Sequence, residues 1–244
     1  MKRFFKLLAV SAACLILTIS AAPQALPVLY DSSITVPAPS ASSTEIVRVY
    51  KELLHVGGTQ LKNQCFDGKL PATPKLSGLA RGAFTRKGAA QVAWLFELCY
   101  TKRHSENGFY GLVVLENGQT KCVSSIQLID VYALATELYS LRDINLNGTD
   151  ELALLWRSAD GAGSMRVLSL LEQTDQKLAS LGQLLVHEFY SAELGNGIEN
   201  VDWKVYVVKS KLPVFIATPN SGKGSPVKLT LDKPSLELQT FLVR

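Results

Sequence analysis

From Gln91 to the C-terminus the chain consists of short apolar runs broken by turn residues, and no other feature restricts its fold as strongly. The runs are 91–99, 110–116, 120–129, 151–158, 165–172, 204–210, 212–219 and 236–243; ENGQ at 116–119, DGAG at 160–163 and NSGKG at 220–224 stand between neighbours. Runs of this length, rich in Val, Leu and aromatic residues and punctuated every 8–12 residues or so, specify strands joined by tight turns and a mostly β fold. One segment has a different period. In STEIVRVYKELLH (43–55), Ile46, Val47, Tyr50, Leu53 and Leu54 recur at helical spacing, behind Ser43 or Thr44 as a cap and Glu45 in the first turn. The spacing predicts a single N-terminal helix covering a sheet edge or face, stopped by Gly57 and Gly58.

The start of the chain bears on where the protein works. Lys2, Arg3 and Lys6 precede an apolar run from Leu7 to Ile19 and then small residues, the layout of a secretory signal. The run is shorter than the roughly 20 apolar residues of a spanning helix. Residues 1–25 are therefore expected to be a signal peptide cleaved between Ala21 and Ala25, leaving no stable membrane span and a secreted or periplasmic protein. Residues 26–42, with VPAPSASS at 36–43, read as a Pro/Ser-rich linker. Removing the signal takes three basic residues from 25 Lys+Arg and none from 21 Asp+Glu. The mature chain is then near neutral, with no overall footprint for nucleic acid or anionic lipid. The remaining 43–244 is long enough for one domain with its own core.

Within it lies an internal repeat. LARGAFTRKGAAQVAWL (79–95) aligns without gaps, at an offset of 60, with YSLRDINLNGTDELALL (139–155); Gly88 falls on Gly148, Phe84 on Ile144, Val92 on Leu152 and Leu95 on Leu155. Each unit reads as four antiparallel strands, at about 76–130 and 136–190, with a divergent third unit over 191–244. A four-stranded sheet cannot bury both faces alone, so the units must stack.

The second unit contains DINLNGTDEL (143–152), which resembles the calcium loop of the FG-GAP/VCBS repeats, the blade units of integrin-type β-propellers. Asp143, Asn145, Asn147, Gly148, Glu151 and Leu152 carry the resemblance, and Leu146 departs from it, standing where the family has a small or polar residue. The resemblance implies two to three four-stranded blade-like sheets in a partial β-propeller-like array. It also implies contact with a protein or carbohydrate ligand through loops at one end of the blades.

A calcium ion takes 6–8 oxygen ligands. Donors spaced two apart would supply them here. Asp143 comes first, Asn145 and Asn147 offer amide oxygens, Thr149 its backbone carbonyl, and Glu151 closes the shell, while Gly148 permits the sharp turn. The alternative is a metal-free loop whose Asn and Asp side chains bond their own backbone. An EF-hand is excluded, because Leu154 stands at its twelfth position. The first unit carries Ala83, Thr85, Lys87 and Gln91 at the matching places and should not bind the ion. A scaffold that accepts a metal-free version of the loop implies a structural ion. Three cysteines remain after signal removal. Cys99 ends its strand at the edge that the segment bearing Cys65 approaches, so Cys65–Cys99 is the expected bridge and Cys122 a buried free thiol.

Catalytic signatures are thin. No Gly-x-Ser-x-Gly elbow is present, the 220–225 turn lacks the glycine and hydroxyl of a phosphate loop, and no pair of histidines has metal spacing. His55, His104 and His187 stand outside any recognisable context. Trp94, Trp156 and Trp203 fall within apolar runs and read as core. The expectation is an exported, non-catalytic binding or scaffolding protein. The alternatives are a structural subunit of a cell-envelope assembly and a secreted enzyme without a recognisable motif.

Overall fold

The computed structural model describes residues 26–34, 40–100, 108–129, 132–159, 163–190, 201–221, 223–241 and 243. Residues 1–25, expected to be a signal peptide, and the His104 loop lie outside them. Thirteen strands and one helix are described, and every strand pairing is antiparallel. The strands β2 (Lys75–Gly82), β3 (Gln91–Tyr100), β4 (Gly108–Glu116) and β5 (Gln119–Leu128) form a meander. A second meander holds β6 (Leu134–Leu141), β7 (Glu151–Ala159), β8 (Gly163–Gln173) and β9 (Leu178–Tyr190).

The strands after Tyr190 do not form a sheet of their own, contrary to a third independent unit. β10 (Val201–Val208), β11 (Val214–Pro219) and β12 (Val227–Leu229) continue the second meander into an eight-stranded sheet. β13 (Leu236–Phe241) returns to pair with β5 and completes a five-stranded sheet. Each meander leaves an edge with unpaired N–H and C=O groups, and these later strands satisfy them. Neither sheet closes into a barrel.

The linker expectation also needs correction. Val28–Asp31 is β1, paired with β10. Leu29 and Tyr30 are buried, and Lys204 Nζ meets Asp31 Oδ2 at 2.8 Å. Two inward apolar side chains and one ion pair hold four residues that composition alone assigns to a tether.

The eight-stranded sheet folds over itself. β9 and β10 share only two residue pairs, Val201–Glu188 and Asp202–His187. Tyr139 of β6 and Leu29 of β1 stand far apart in strand order, yet the Tyr139 hydroxyl donates to the Leu29 carbonyl at 3.4 Å. β1, β10 and β11 thus lie over the face of β6–β9. Ala153, Leu155, Leu168, Leu170, Leu184 and Val186 pack there against Val205, Val207, Phe215 and Ala217. The opposite face of β6–β9, with Leu152, Leu154 and Trp156, packs on Leu95, Leu112, Val114 and Ile126 of the five-stranded sheet. Strand alternation explains both cores: odd and even residues of β7 face different layers.

The two meanders approach most closely at β2 and β6. A Cβ on Gly78 would sit 2.5 Å from Leu138 Cβ and 3.0 Å from its backbone nitrogen, so only glycine permits this crossing. α1 (Ser43–Gln64) covers the outer face of the five-stranded sheet, with Val49, Leu53 and Leu61 against Trp94, Phe96, Val113 and Val123. Ser42 is its cap and accepts from the Glu45 amide at 3.2 Å. The helix runs through Gly57 and Gly58 instead of stopping there. Gly57 is buried and faces Leu61 and Phe241 so closely that a Cβ would meet them at 3.1–3.3 Å. Burial of Leu61 and Cys65 on the far side outweighs the roughly 1 kcal/mol per glycine that helix propensity opposes. Cys65, just past the helix, and Cys99 of β3 are joined with Sγ–Sγ 2.06 Å. Among the described residues no helix is long and apolar enough to cross a membrane.

Candidate metal centre

Two loops of the aligned segments lie side by side at one end of the sheets. Loop 83–90 joins β2 to β3, and loop 142–150 joins β6 to β7. The Ala83 amide donates to Asp150 Oδ2 at 2.9 Å, and the Asp150 amide donates to the Ala83 carbonyl at 3.0 Å. Each loop is anchored by one buried apolar residue, Phe84 or Ile144. Each also has a buried polar residue opening its second strand, Gln91 opposite Gly82 and Glu151 opposite Leu141.

Gln91 is fully engaged. Its Oε1 accepts from the Thr85 amide at 2.9 Å, and its Nε2 donates to Thr85 Oγ1 at 2.7 Å and to Glu116 Oε2 at 2.9 Å. Glu116, paired with Gln91 across β3–β4, also takes an ion pair from Arg86. The Gln91 hydrogen bond, with the Arg86 guanidinium added, holds the Glu116 carboxyl below the usual carboxylate range.

Glu151 is the charged counterpart without the second set of partners. Its Oε2 accepts from the Ile144 amide at 2.8 Å, while Oε1 is buried without a hydrogen-bond partner. The side chain has 0% exposure. Continuing the Leu152–Leu171 pairing by one residue sets Glu151 beside Glu172 of β8, where Glu116 stands beside Gln91. Among the described residues no arginine is paired with Glu172; Asn147 Nδ2 donates to it. Burial is the main reason that the Glu151 carboxyl is pushed up to about 7, and the charges of Asp143 and Glu172 add to it.

The rest of the loop is self-bonded. Asp143 Oδ1 accepts from the Gly148 amide at 3.2 Å, Asn145 Oδ1 from the Asn147 amide at 3.0 Å, and Asn147 Oδ1 from the Thr149 amide and hydroxyl at 2.8 and 2.7 Å. The Asn145 and Asn147 bonds to amides two residues on are those of Asx turns. They bring Asp143, Asn145, Asn147, Thr149 and Glu151 into one loop, but with oxygens turned toward local N–H groups. Among the described residues no three His, Cys, Asp or Glu side chains form a metal-binding group. Gly148 has φ 95°, and Asp143 and Leu146 also adopt left-handed backbone, at φ 40° and 59°. Lys87 of the neighbouring loop is exposed, and its stem lies 3.5–3.8 Å from the point where a Gly148 Cβ would project. The donor chemistry is that of a hard cation site: one buried carboxylate oxygen lacks a partner, and the others are amide or carboxylate oxygens now bonded within the loop.

Three positions escaped sequence reading. Glu172 lies in a different strand from the motif and is linked to it only by β7–β8 register. The value of Glu116 and Arg86 as a neutralised copy of this corner likewise appears only when the registers are set side by side.

Other reactive side chains are dispersed. Cys122 is buried, which pushes its thiol up to about 12, so it holds no thiolate at neutral pH. His187 Nδ1 lies 3.6 Å from Asp202 Oδ1 where β9 meets β10. His55 lines a wide groove of about 940 Å³ between α1 and the β5–β13 edge. Trp94 and Trp156 are core, and the Trp156 indole donates to Ser169 Oγ at 2.9 Å. The 220–224 turn joins β11 to β12 as a hairpin. No protein-family model, curated protein or solved structure matches this chain.

Proposed function

We propose that the chain is an exported, non-catalytic binding or scaffolding protein of FG-GAP/VCBS-like units, with a structural calcium ion held by the 143–151 loop. The observation that carries the reading is the buried, unpartnered Oε1 of Glu151, set against Gln91, whose amide nitrogen fills the matching place with two hydrogen bonds. An uncompensated buried carboxylate is expensive, and a divalent ion is the partner that this oxygen-rich loop would accept. Asp143 and Glu151 supply charge, Asn145 and Asn147 amide oxygens, and the Thr149 carbonyl one more ligand. With few charged ligands, affinity belongs in the range of extracellular modules, about 10⁻⁴–10⁻³ M, which suits export through the N-terminal signal. The ion would tie the β6–β7 crossover to β8, and loops at this end would meet the ligand.

Thermal melts with calcium and with chelator, on the wild type and on Asp143→Ala, test this. Calcium should raise the wild-type midpoint and leave the variant unmoved. Superimposable wild-type curves would remove the ion from the account.

A further inference from the structure

The near-neutral balance of the mature chain conceals a local segregation at the end that carries the paired loops. A third segment joins them there: in 209–213 the Ser210 amide donates to the Ile144 carbonyl at 3.2 Å, and Lys209 Nζ donates to the Arg142 carbonyl. The three segments 83–90, 142–150 and 209–213 contain five basic residues, Arg86, Lys87, Arg142, Lys209 and Lys211, against the two acids Asp143 and Asp150, while the adjoining strands add Glu116, which takes the Arg86 ion pair, buried Glu151, and Glu172 bonded to Asn147. Both acids are turned inward to backbone amides, while Lys87, Arg142 and Lys211 are exposed, and Arg86 is exposed but paired with Glu116. The exposed cations of this end are thus Lys87, Arg142 and Lys211, in a chain that is near neutral as a whole.

Two leucines project among these cations. Leu146 is 56% exposed at the tip of its loop, and Leu212 is 85% exposed at the tip of the β10–β11 hairpin. Leu146 also holds φ 59°, a left-handed conformation that opposes a branched L-residue by about 1 kcal/mol or more. Burial does not offset that strain in the free protein, and strain retained at an exposed apolar tip points to a function there.

We propose that this end docks on an anionic lipid surface, with Leu146 and Leu212 entering the headgroup boundary and the surrounding lysines and arginines meeting lipid phosphates. Each leucine crowns its own loop, so a folded protein would need a separate pocket for each, whereas an acyl boundary flows around both. Apolar tips inside a basic ring combine the two contributions that hold peripheral proteins to membranes. The surface is complete without an ion, so the proposal does not rest on calcium.

The test is co-sedimentation of residues 26–244, which hold every packed element described, in chelator. The vesicles are phosphatidylcholine with or without phosphatidylglycerol. Binding should require the anionic lipid and fall with salt. Leu146→Asn and Leu212→Ser should each weaken it about tenfold, and Lys87→Gln and Lys211→Gln each about fivefold. Asn tolerates left-handed backbone, so Leu146→Asn should fold, with its melting curve as the check. Phe66→Ser, an exposed apolar site beside Tyr100 at the other end of β3, should bind vesicles like the wild type. Absence of binding to anionic vesicles, or equal binding by the double leucine variant, would overturn the proposal. So would capture by soluble polyglutamate without vesicle binding, which would assign the surface to an acidic protein. A missing calcium effect on the melt with vesicle binding intact would sink the ion alone.

Discussion

Glu151→Gln converts the second loop into the chemistry of the first and gives a quantitative test of the paired-loop comparison. In the metal-free protein the Glu151 carboxyl is raised from 4.5 to about 7, chiefly by burial. A carboxyl whose folded value exceeds its unfolded value keeps its proton longer when folded. The metal-free wild type should therefore keep this contribution in full below about pH 4.5 and lose it as pH rises to about 7. The full shift corresponds to about 3 kcal/mol at 1.36 kcal/mol per unit. Because the carboxyl lies directly beneath a surface loop, about 2–3 kcal/mol is the better expectation. For a chain of this size that is roughly 4–12 °C in melting midpoint.

Gln keeps the acceptor for Ile144 and removes the charge, so at pH 8 in chelator Glu151→Gln should melt higher than the wild type by about that amount. The two should converge by about pH 4, below the unfolded value. Calcium at pH 8 should raise the wild type and leave Glu151→Gln unchanged, narrowing or reversing the order. Glu137 is also raised by burial, so the quantity to follow by differential scanning calorimetry is the difference between the two proteins. A difference that stays constant between pH 5 and pH 8 in chelator would refute the reasoning, because it would mean that Glu151 carries no uncompensated charge.

Further outcomes can be checked with purified protein. Gly78→Ala drives a methyl into Leu138 at 2.5 Å and should lower stability by about 1–3 kcal/mol, read as a drop in urea midpoint at unchanged slope. Replacing Cys65 and Cys99 together by Ser opens a bridge spanning 34 residues and should cost about 2–4 kcal/mol, matched by the wild type under reductant. Cys122 should resist a thiol reagent in native buffer and react stoichiometrically in denaturant, since burial both shields it and pushes it up to about 12; rapid native labelling would contradict its placement.

Much of the strand content was legible because strands betray themselves locally. β3, β5 and β7 begin or end within a residue or so of their apolar runs, and Cys65–Cys99 followed from β2 running antiparallel to β3. Edges were not legible. Nothing in Val28–Asp31 or Leu236–Phe241 says which strand will receive it, because pairing depends on an edge created elsewhere. The helix ran past Gly57 because a tight approach to Phe241 reversed the usual meaning of glycine. At the candidate site the motif residues were readable in one dimension. Glu172 and Arg86 were not, since register brings them in from other strands. Leu146 was visible as a departure from the motif, but its left-handed backbone was not.

The ends of the chain carry a kinetic consequence. β1 is clasped by β10 through pairs such as Tyr30–Val205, and β13 by β5 through Phe241–Val123. Contacts between residues 175 and 118 positions apart form late, after a large loop-closure entropy has been met. Until its last strand is synthesised, the nascent polypeptide cannot finish its first sheet. A chain built this way stays open while it is being made and locks only once β13 can reach β5.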